Sequence, residues 1–191
     1  MGSDLKRRIQ EEAVVDGDIV RMDTFLNHQV DMELVEDIAR RIAKAFRNKG
    51  VTKVLTCESS GIPIACMVGW AMDVPVIYAK RFMTGYMDPD VYAVEIHSFS
   101  LNKSFTLRVS RKCLNGEDVV LVVDDILANG QDVLGLLEIV ARAGAETVGV
   151  GVAVHKASKD GGKVLRQMQI PLYAVVTIED VEDGTVIFQE G

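Results

Sequence analysis

The chain has 191 residues, enough for one α/β domain with a sizeable core, or for one domain and a small subdomain. Asp and Glu number 28 against 21 Lys and Arg, so the net charge is −7; with a pI near 5.0 and no basic run, this argues against a nucleic-acid-binding surface. The sequence has no run of 18 apolar residues and no apolar leader, so we expect neither a membrane span nor a signal peptide.

The cysteines point to a reducing compartment. Cys57, Cys66 and Cys113 are odd in number and have no metal-ligand spacing. Such cysteines are typical of reduced thiols in a protein that stays inside the cell. We therefore expect a cytoplasmic protein.

The first fifty residues are predicted to lie outside the alternating β/α core that follows. Residues 4–13 have the pattern of a short helix, residues 14–18 that of a turn, and residues 19–23 that of a short strand. Asp31 can cap a second helix, whose apolar residues recur at helical spacing. The interpretation is a small N-terminal unit in front of the main sheet.

Between the short strand and the second helix lies the sequence Phe25-Leu26-Asn27-His28-Gln29. Judged on residue type alone, Asn27 is a turn residue. His28 has no Ser, Cys or carboxylate at a spacing that indicates a triad, so we do not assign it to catalysis.

A strand followed by a loop and a helix is predicted from residue 51 to residue 72. Residues 51–57 form an apolar strand, and an apolar helix begins at Ile62 with Pro63 tolerated in its first turn. Because the first turn of a helix has unpaired N–H groups, the intervening loop suits an anion. That loop consists of Glu58, Ser59, Ser60 and Gly61.

The next predicted strand covers residues 74–79 and ends in Lys80 and Arg81. Two cations at the carboxyl end of a strand suit a phosphate or pyrophosphate group. The alternative is a solvated charge pair, and the residue types leave both open.

A loop rich in Gly and Pro follows over residues 83–90. Residues 91–98 and 104–109 alternate between apolar and polar side chains and predict an antiparallel hairpin, joined through residues 101–103. The detailed sequence of this region is not diagnostic, so we assign no catalytic residue to it.

The most informative stretch runs from Asp118 to Gln131. Val119–Val123 predicts a strand buried on both faces, which ends in the adjacent carboxylates Asp124 and Asp125. The acids can accept hydrogen bonds from vicinal sugar hydroxyls or hold a hydrated cation, and the loop before the next helix suits a phosphate. Together these features predict a ribose 5-phosphate site. The loop residues are Ala128, Asn129, Gly130, Gln131 and Asp132.

The remaining elements complete an alternating pattern. Residues 147–154 predict a buried strand followed by Lys156, residues 159–169 are helical or irregular, and residues 172–178 and 185–188 predict two further strands. The order of elements indicates an α/β fold: a mostly parallel sheet flanked by helices, with ligands at the carboxyl ends of the strands.

The sequence VVLVVDDILANGQ resembles the phosphoribosyl-pyrophosphate (PRPP) binding motif of the type I phosphoribosyltransferases, and its Ala-Asn-Gly-Gln loop is similar to that of the bacterial xanthine phosphoribosyltransferases. An Asp-Asp pair also follows a strand in response-regulator receiver domains. There the pair lies near the start of the domain, whereas only 66 residues follow Asp125 here. The resemblance implies one phosphoribosyltransferase domain over residues 1–191, with a hood within residues 1–50 and a PRPP-binding core over residues 51–191.

The resemblance also implies roles for individual residues. Asp124 and Asp125 become the catalytic pair on the ribose, the 128–132 loop binds the 5-phosphate, and the 58–61 loop binds pyrophosphate together with Lys80 and Arg81. Val20 and Asn27 of the hood, and Lys156, would contact the purine. Type I enzymes carry a mobile loop near the predicted hairpin that closes over the reacting centre.

Two positions fit the family less well. Glu58 places a carboxylate in the pyrophosphate loop, where it can face away or meet a magnesium ion. Asp132 stands where the family has a small residue, so we expect its side chain to point away from the phosphate.

The implied reaction is conversion of xanthine and PRPP to xanthosine 5′-monophosphate (XMP) and pyrophosphate in purine salvage. Mg²⁺ would arrive with PRPP rather than at a dedicated protein site, and the family implies a homodimer. Two alternatives stay open: the same chemistry on guanine or hypoxanthine, and a non-catalytic PRPP-sensing purine regulator. Regulators of that kind add an N-terminal DNA-binding domain, but the residues before Val51 contain no basic recognition helix.

Overall fold

A computed structural model of the chain describes residues 4–82, 85, 88–98 and 103–189. The helices are α1 (Asp4–Glu12), α2 (Met32–Phe46), α3 (Gly61–Met72), α4 (Gln131–Ala143) and α5 (Gly161–Gln167), with a single π-helical turn at Asp23–Asn27. The strands are β1 (Val14–Asp16), β2 (Ile19–Arg21), β3 (Lys53–Cys57), β4 (Val76–Ala79), β5 (Val91–Ser98), β6 (Lys103–Ser110), β7 (Val119–Leu127), β8 (Glu146–Lys156), β9 (Leu172–Glu182) and β10 (Thr185–Phe188).

The main sheet has six strands in the order β10-β9-β8-β7-β3-β4. All neighbours are parallel except β10, which pairs antiparallel with β9. The predicted mostly parallel sheet is therefore confirmed, as is the return of the last short strand. Because the parallel strands run in one direction, the loops after β3, β4, β7 and β8 all open at the same edge of the sheet.

Each face of the sheet is covered by its own apolar cluster. On one face, residues of α1, α2, α3, β2 and the π-helical turn pack together with Leu121 and Val123 of β7. On the other face, residues of α4, α5 and the β5–β6 hairpin pack on Val120 and Val122. The four consecutive valine and leucine residues of β7 thus supply both cores, which explains why this strand is apolar on both sides.

The helix α2 packs directly on the sheet beside α3. Asp31 caps it as predicted, because the Asp31 carboxylate accepts hydrogen bonds from the N–H groups of Glu33 and Leu34 at 3.1 and 3.2 Å. Its side chains approach β8 closely: a Cβ at Gly151 would lie 2.5 Å from Cγ2 of Ile42. The N-terminal region and the sheet therefore share one apolar cluster.

The hairpin β5–β6 forms a separate two-stranded sheet with the predicted boundaries to within one residue. It is tied to β4 by two backbone hydrogen bonds of 2.9 Å between Lys80 and Arg108. Residues 83, 84, 86 and 87 of the predicted loop, and residues 101 and 102 of the predicted turn, lie outside the described residues.

Two predictions about local structure were wrong. Residues 14–16, predicted as part of a turn, form β1 and pair with β2. The strand β7 does not end at the acidic pair Asp124-Asp125 but continues to Leu127, because its backbone stays paired with β8 as far as His155. None of the helices in the described ranges has the length and apolar character needed to cross a membrane.

Candidate active site

The adjacent carboxylates Asp124 and Asp125 lie in β7 at the edge where ligands are expected. Asp124 is only 6% exposed, and its carboxylate accepts a hydrogen bond from the backbone N–H of Asp125 at 3.0 Å. Burial, followed by the repulsion of Asp125 and Asp132, raises the pKa of Asp124 well above its ordinary value; burial also raises the pKa of Asp125. Across the described residues, neither carboxylate has an ion-pair partner within 4.0 Å. The pair is therefore suited to a ligand that brings hydroxyl donors or a cation.

The loop after β7 leads into the N-terminus of α4. Gly130 adopts a left-handed conformation with φ of 78° and occupies the cap position of α4. Because glycine has no side chain, it cannot cap the N–H groups at the start of this helix. The carbonyl of Ala128 accepts a hydrogen bond of 2.9 Å from the N–H of Gly161, which anchors the loop to α5. The first turn of α4 thus presents its N–H groups beside the acidic pair, as a phosphate site requires.

The loop after β3 leads into α3 in the same way. Ser60 is the cap residue and makes no side-chain capping bond, and α3 starts at Gly61. The peptide between Glu58 and Ser59 is cis. A Cβ at Gly61 would collide with Oγ1 of Thr56 and would lie 2.7 Å from Oδ1 of Asp124, so only glycine lets this helix start approach the acidic pair.

The side chain of Arg81 connects the two loops. Its Nη2 donates to Oδ1 of Asp132 at 2.8 Å, and its Nε donates to the carbonyl of Glu58 at 3.2 Å. The guanidinium carbon lies 5.3 Å from the ring centroid of Phe105 in the hairpin. The Glu58 carboxylate accepts from the backbone N–H of Arg81 at 2.5 Å, which uses one of its oxygens within the protein.

Lys80, predicted to bind pyrophosphate together with Arg81, does not share its pocket. The ammonium of Lys80 is 5.7 Å from the ring centroid of Tyr78, and Lys80 does not line the pocket that Arg81 lines. The Asp132 carboxylate, which we expect to point away from the phosphate, is directed toward Arg81. It lines the pocket, because the ion pair with Arg81 draws it there.

These groups enclose one pocket of about 410 Å³. It is lined by Cys57, Glu58, Ser59, Ser60, Gly61, Arg81, Phe105, Asp124, Asp125, Ile126 and Asp132. Within the described residues, the start of α3, Asp132 in the first turn of α4, Arg81 and the buried carboxylate pair thus face the same space, whereas residues 128–131 do not line it. Such a space fits a phosphorylated sugar better than an apolar ligand.

Of the three residues predicted to contact a purine, Val20 and Asn27 lie in the N-terminal region and Lys156 lies at the end of β8. Val20 in β2 is 7% exposed, and Asn27 ends the π-helical turn that follows. Lys156 is the last residue of β8, and its ammonium donates to the backbone carbonyl of Asp18 in the β1–β2 turn. That bond brings Lys156 next to the hairpin that carries Val20.

Asn27 has an unusual environment. Its Oδ1 is buried and has no hydrogen-bond partner in the part of the chain that the structure describes. A buried amide oxygen without a partner is unfavourable, so this atom is suited to a ligand donor. His28, beside it, is exposed.

Four other residues of the site carried no signal in the sequence. Thr56 is fully buried beside Asp124, Phe105 stacks on Arg81, and Asp18 and Lys159 pair at the edge of the hood. Each acts through a contact between distant parts of the chain, so spacing along the sequence does not reveal it.

Comparison with known proteins gives a consistent result. A curated xanthine phosphoribosyltransferase from Ruminiclostridium cellulolyticum is 43% identical over 187 residues, which cover 97% of this chain and 98% of the relative. Another, from Oceanobacillus iheyensis, is 44% identical over 187 residues, with coverage of 97% and 96%. No protein-family model matches the chain.

Solved structures show the same fold at lower identity. An adenine phosphoribosyltransferase from Rhodothermus marinus superposes with a TM-score of 0.74 at 20% identity, covering 91% of this chain and 98% of that one. The Trypanosoma brucei enzyme, in complex with AMP, pyrophosphate and ribose-5-phosphate, gives a TM-score of 0.75 at 15% identity, with coverage of 91% and 79%. At such identities the likeness concerns the fold alone.

Proposed function

Because the chain belongs to the xanthine phosphoribosyltransferase family, we propose that it transfers the phosphoribosyl group of PRPP to xanthine. The fold is that of the type I phosphoribosyltransferases. In the reaction the bond between C1 of the ribose and the pyrophosphate oxygen breaks, a bond from N9 of the purine to C1 forms, and the N9 proton is released. The products are XMP and pyrophosphate, a step of purine salvage.

One observation carries this proposal: a buried carboxylate pair, with no ion-pair partner in the part of the chain that the structure describes, lines one pocket together with the 58–61 loop, Arg81 and Asp132. We assign the ribose hydroxyls to Asp124 and Asp125 and the 5-phosphate to residues 128–132. The pyrophosphate falls to residues 58–61 and Arg81. Lys80 has a smaller part, because its side chain lies on Tyr78 outside the pocket.

The chemistry needs charge complementarity and positioning more than a protein nucleophile. As pyrophosphate leaves, positive charge develops on the ribose ring, and the two carboxylates lie where they can stabilise it. The positive charge of Arg81 and of the helix N-termini stabilises the negative charge that grows on the leaving pyrophosphate. The acidic pair also fits a Mg²⁺ ion that arrives with PRPP, and the ion would neutralise pyrophosphate oxygens.

The purine is assigned to the space between the hood and the end of β8. The unpartnered Oδ1 of Asn27 can accept from a purine N–H, and the ammonium of Lys156 can donate to a purine carbonyl. Val20 supplies an apolar contact to the ring. Xanthine has two carbonyl groups and ring N–H donors, which match this set.

The test is pyrophosphate release from PRPP and Mg²⁺ with xanthine, guanine, hypoxanthine and adenine offered separately. We expect the highest kcat/KM with xanthine, and no release from an Asp124→Asn/Asp125→Asn double variant. Preference for guanine or hypoxanthine would keep the mechanism and overturn the purine assignment. Clear PRPP binding without turnover of any purine would instead favour a PRPP-sensing regulator.

The same proposal extends to assembly and location. We expect a homodimer in the cytoplasm, in line with the family and with three cysteines that all remain free in the structure. Light scattering of the purified protein tests the first expectation.

A further inference from the structure

The turn between β1 and β2 is held by two lysines from the end of β8. The backbone carbonyl of Asp18 accepts a hydrogen bond from Lys156, and the Asp18 carboxylate forms an ion pair with Lys159. The side chain of Asp18 is 65% exposed and that of Lys159 is 32% exposed, so the pair lies at the surface. One hood residue thus contacts both ends of the loop that carries the proposed purine-binding lysine.

The hairpin that carries Asp18 cannot hold its own position. Its two strands have three residues each and pair only with one another. Two-stranded hairpins of this length are not stable alone in water. Its place over the sheet depends on the packing of Val15, Val20 and the adjacent Met22 in the apolar cluster, and on the contacts of Asp18 with the two lysines.

The contact with Asp18 also orients Lys156. Burial lowers the pKa of the half-buried Lys156 ammonium, and the negative charge of Asp18 acts against this fall. An ammonium has three N–H donors, and the Asp18 carbonyl takes one of them. Among the described residues no other acceptor is bonded to this ammonium, so its two remaining donors are available to a ligand.

The Asp18 carboxylate does not touch Lys156 directly. Its hydrogen bond from Lys159, with the charges of Lys159 and Lys156, holds the pKa of Asp18 below its ordinary value. The Asp18 carboxylate is therefore negatively charged at neutral pH. Its ion pair with Lys159 holds the turn, and with it the Asp18 carbonyl, at the end of β8.

We propose that Asp18 and Lys159 are positioning residues for the purine: their ion pair fixes the β1–β2 turn so that its carbonyl aims Lys156 at the base. This role rests on the proposed function. It predicts a contribution to purine binding and none to PRPP binding, because the PRPP pocket is lined by other residues.

The experiment compares Asp18→Asn and Lys159→Met with two matched controls, Asp16→Asn in the same hairpin and Lys163→Met in α5. Asp16 forms an exposed ion pair with Arg21 rather than with the end of β8, and Lys163 is exposed. We expect the KM for xanthine to rise about threefold to fivefold in the two test variants, the range for an exposed ion pair. The kcat, the KM for PRPP and the melting temperature should stay at wild-type values, as should all parameters of the controls.

Two further measurements separate positioning from a general effect. Added KCl should raise the KM for xanthine of the wild type toward that of the variants and leave the variants unchanged. The charge-swapped variant Asp18→Lys/Lys159→Asp should recover most of the lost affinity.

Each other outcome overturns the role. If the wild type turns over xanthine but Asp18→Asn and Lys159→Met keep its KM for xanthine, the inference is removed and the proposed function stands. An equal rise in the KM for PRPP would show a merely structural pair. A wild type without purine turnover overturns the proposed function, and the role falls with it.

Discussion

Single residues in this site carry opposed demands of folding and function. Asp124 is buried next to a second carboxyl, and across the described residues it has no ion-pair partner within 4.0 Å. Asn27 buries an amide oxygen with no partner in the same set of residues. Both arrangements are unfavourable in the free protein and become favourable when a ligand supplies the missing partner.

The first prediction concerns Asp124→Asn and pH. The folded-state pKa of Asp124 lies above its ordinary value of 3.8. Protonation of Asp124 therefore contributes stability that is fully present below pH 3.8 and is lost as the pH rises through the folded-state pKa. At pH 7 the free energy of unfolding of Asp124→Asn should therefore be about 1 kcal/mol higher than that of the wild type. Denaturant titration at pH 4 and pH 7 checks this.

At pH 4 the gain of Asp124→Asn should shrink or vanish. The exposed Glu117→Gln serves as control, because Glu117 lies in the turn before β7, away from the pocket. A variant less stable than the wild type at pH 7 would contradict the assignment of a strained carboxyl.

The second prediction concerns Asn27→Ala. Loss of the amide should lower kcat/KM for xanthine by about tenfold to a hundredfold, the effect of a lost hydrogen bond to a buried ligand. The KM for PRPP should not change. His28→Ala, one residue away and exposed, is the matched control, and steady-state kinetics with both substrates is the measurement. Equal effects on xanthine and PRPP would remove Asn27 from the purine site.

At the scale of elements, the site depends on how the hairpin and α4 pack. A Cβ at Gly135 would lie 2.5 Å from Cγ2 of Ile96 and 3.0 Å from Cδ1 of Leu107. The missing side chain lets the hairpin reach α4, and the hairpin in turn supplies Phe105 to Arg81.

The third prediction is that Gly135→Ala destabilises the protein by about 1–3 kcal/mol, in spite of the better helix propensity of alanine, because the added methyl separates hairpin and helix. Gly116→Ala, where the nearest atom would be 3.6 Å away, should be tolerated. Thermal and denaturant unfolding test both. A more stable Gly135→Ala would show that the hairpin adjusts freely.

The fourth prediction concerns the start of α4. Asp132→Asn removes a negative charge from the proposed PRPP pocket and releases Arg81, so the KM for PRPP should fall about threefold. Glu138→Gln, which breaks the exposed Glu138–Arg142 pair in the same helix, is the control. A higher KM for PRPP in Asp132→Asn would mean that the ion pair orders Arg81 for binding.

The elements differ in how far the sequence predicts them. The helix α2, with its Asp31 cap and helical spacing, and the hairpin, with its alternation, follow from local patterns. The last four residues of β7 do not, since carboxylates are rare in strands and only pairing with β8 keeps Asp124 and Asp125 extended.

The site shows the same division. The loops at 58–61 and 128–132 could be located because strand, glycine and helix adjoin in the chain. The direction of the Asp132 carboxylate could not, because it is set by an ion pair with Arg81, 51 residues away in the chain. The direction of Lys80 could not either, because a lysine at a strand end has several open rotamers and only the contact with the Tyr78 ring selects one.

At the scale of the whole molecule, ligand binding and stability are coupled. The fifth prediction is that Mg²⁺ and PRPP at 100 times the Kd stabilise the protein by about 2.7 kcal/mol, seen as a melting temperature several degrees higher. Asp124→Asn/Asp125→Asn should lose most of this shift while binding of the purine alone is unaffected. Differential scanning fluorimetry measures it. An equal shift in the double variant would place PRPP elsewhere.

The contact of α1 with β9 and β10 has a consequence for synthesis of the chain. Leu5 and Ile9 of α1 belong to the same apolar cluster as Ile178 and Val186, and the Lys6 ammonium lies 5.0 Å from the ring centroid of Phe188. A ribosome produces α1 first and these partners more than 160 residues later. The packing of α1 is therefore complete only after translation has reached the far edge of the sheet.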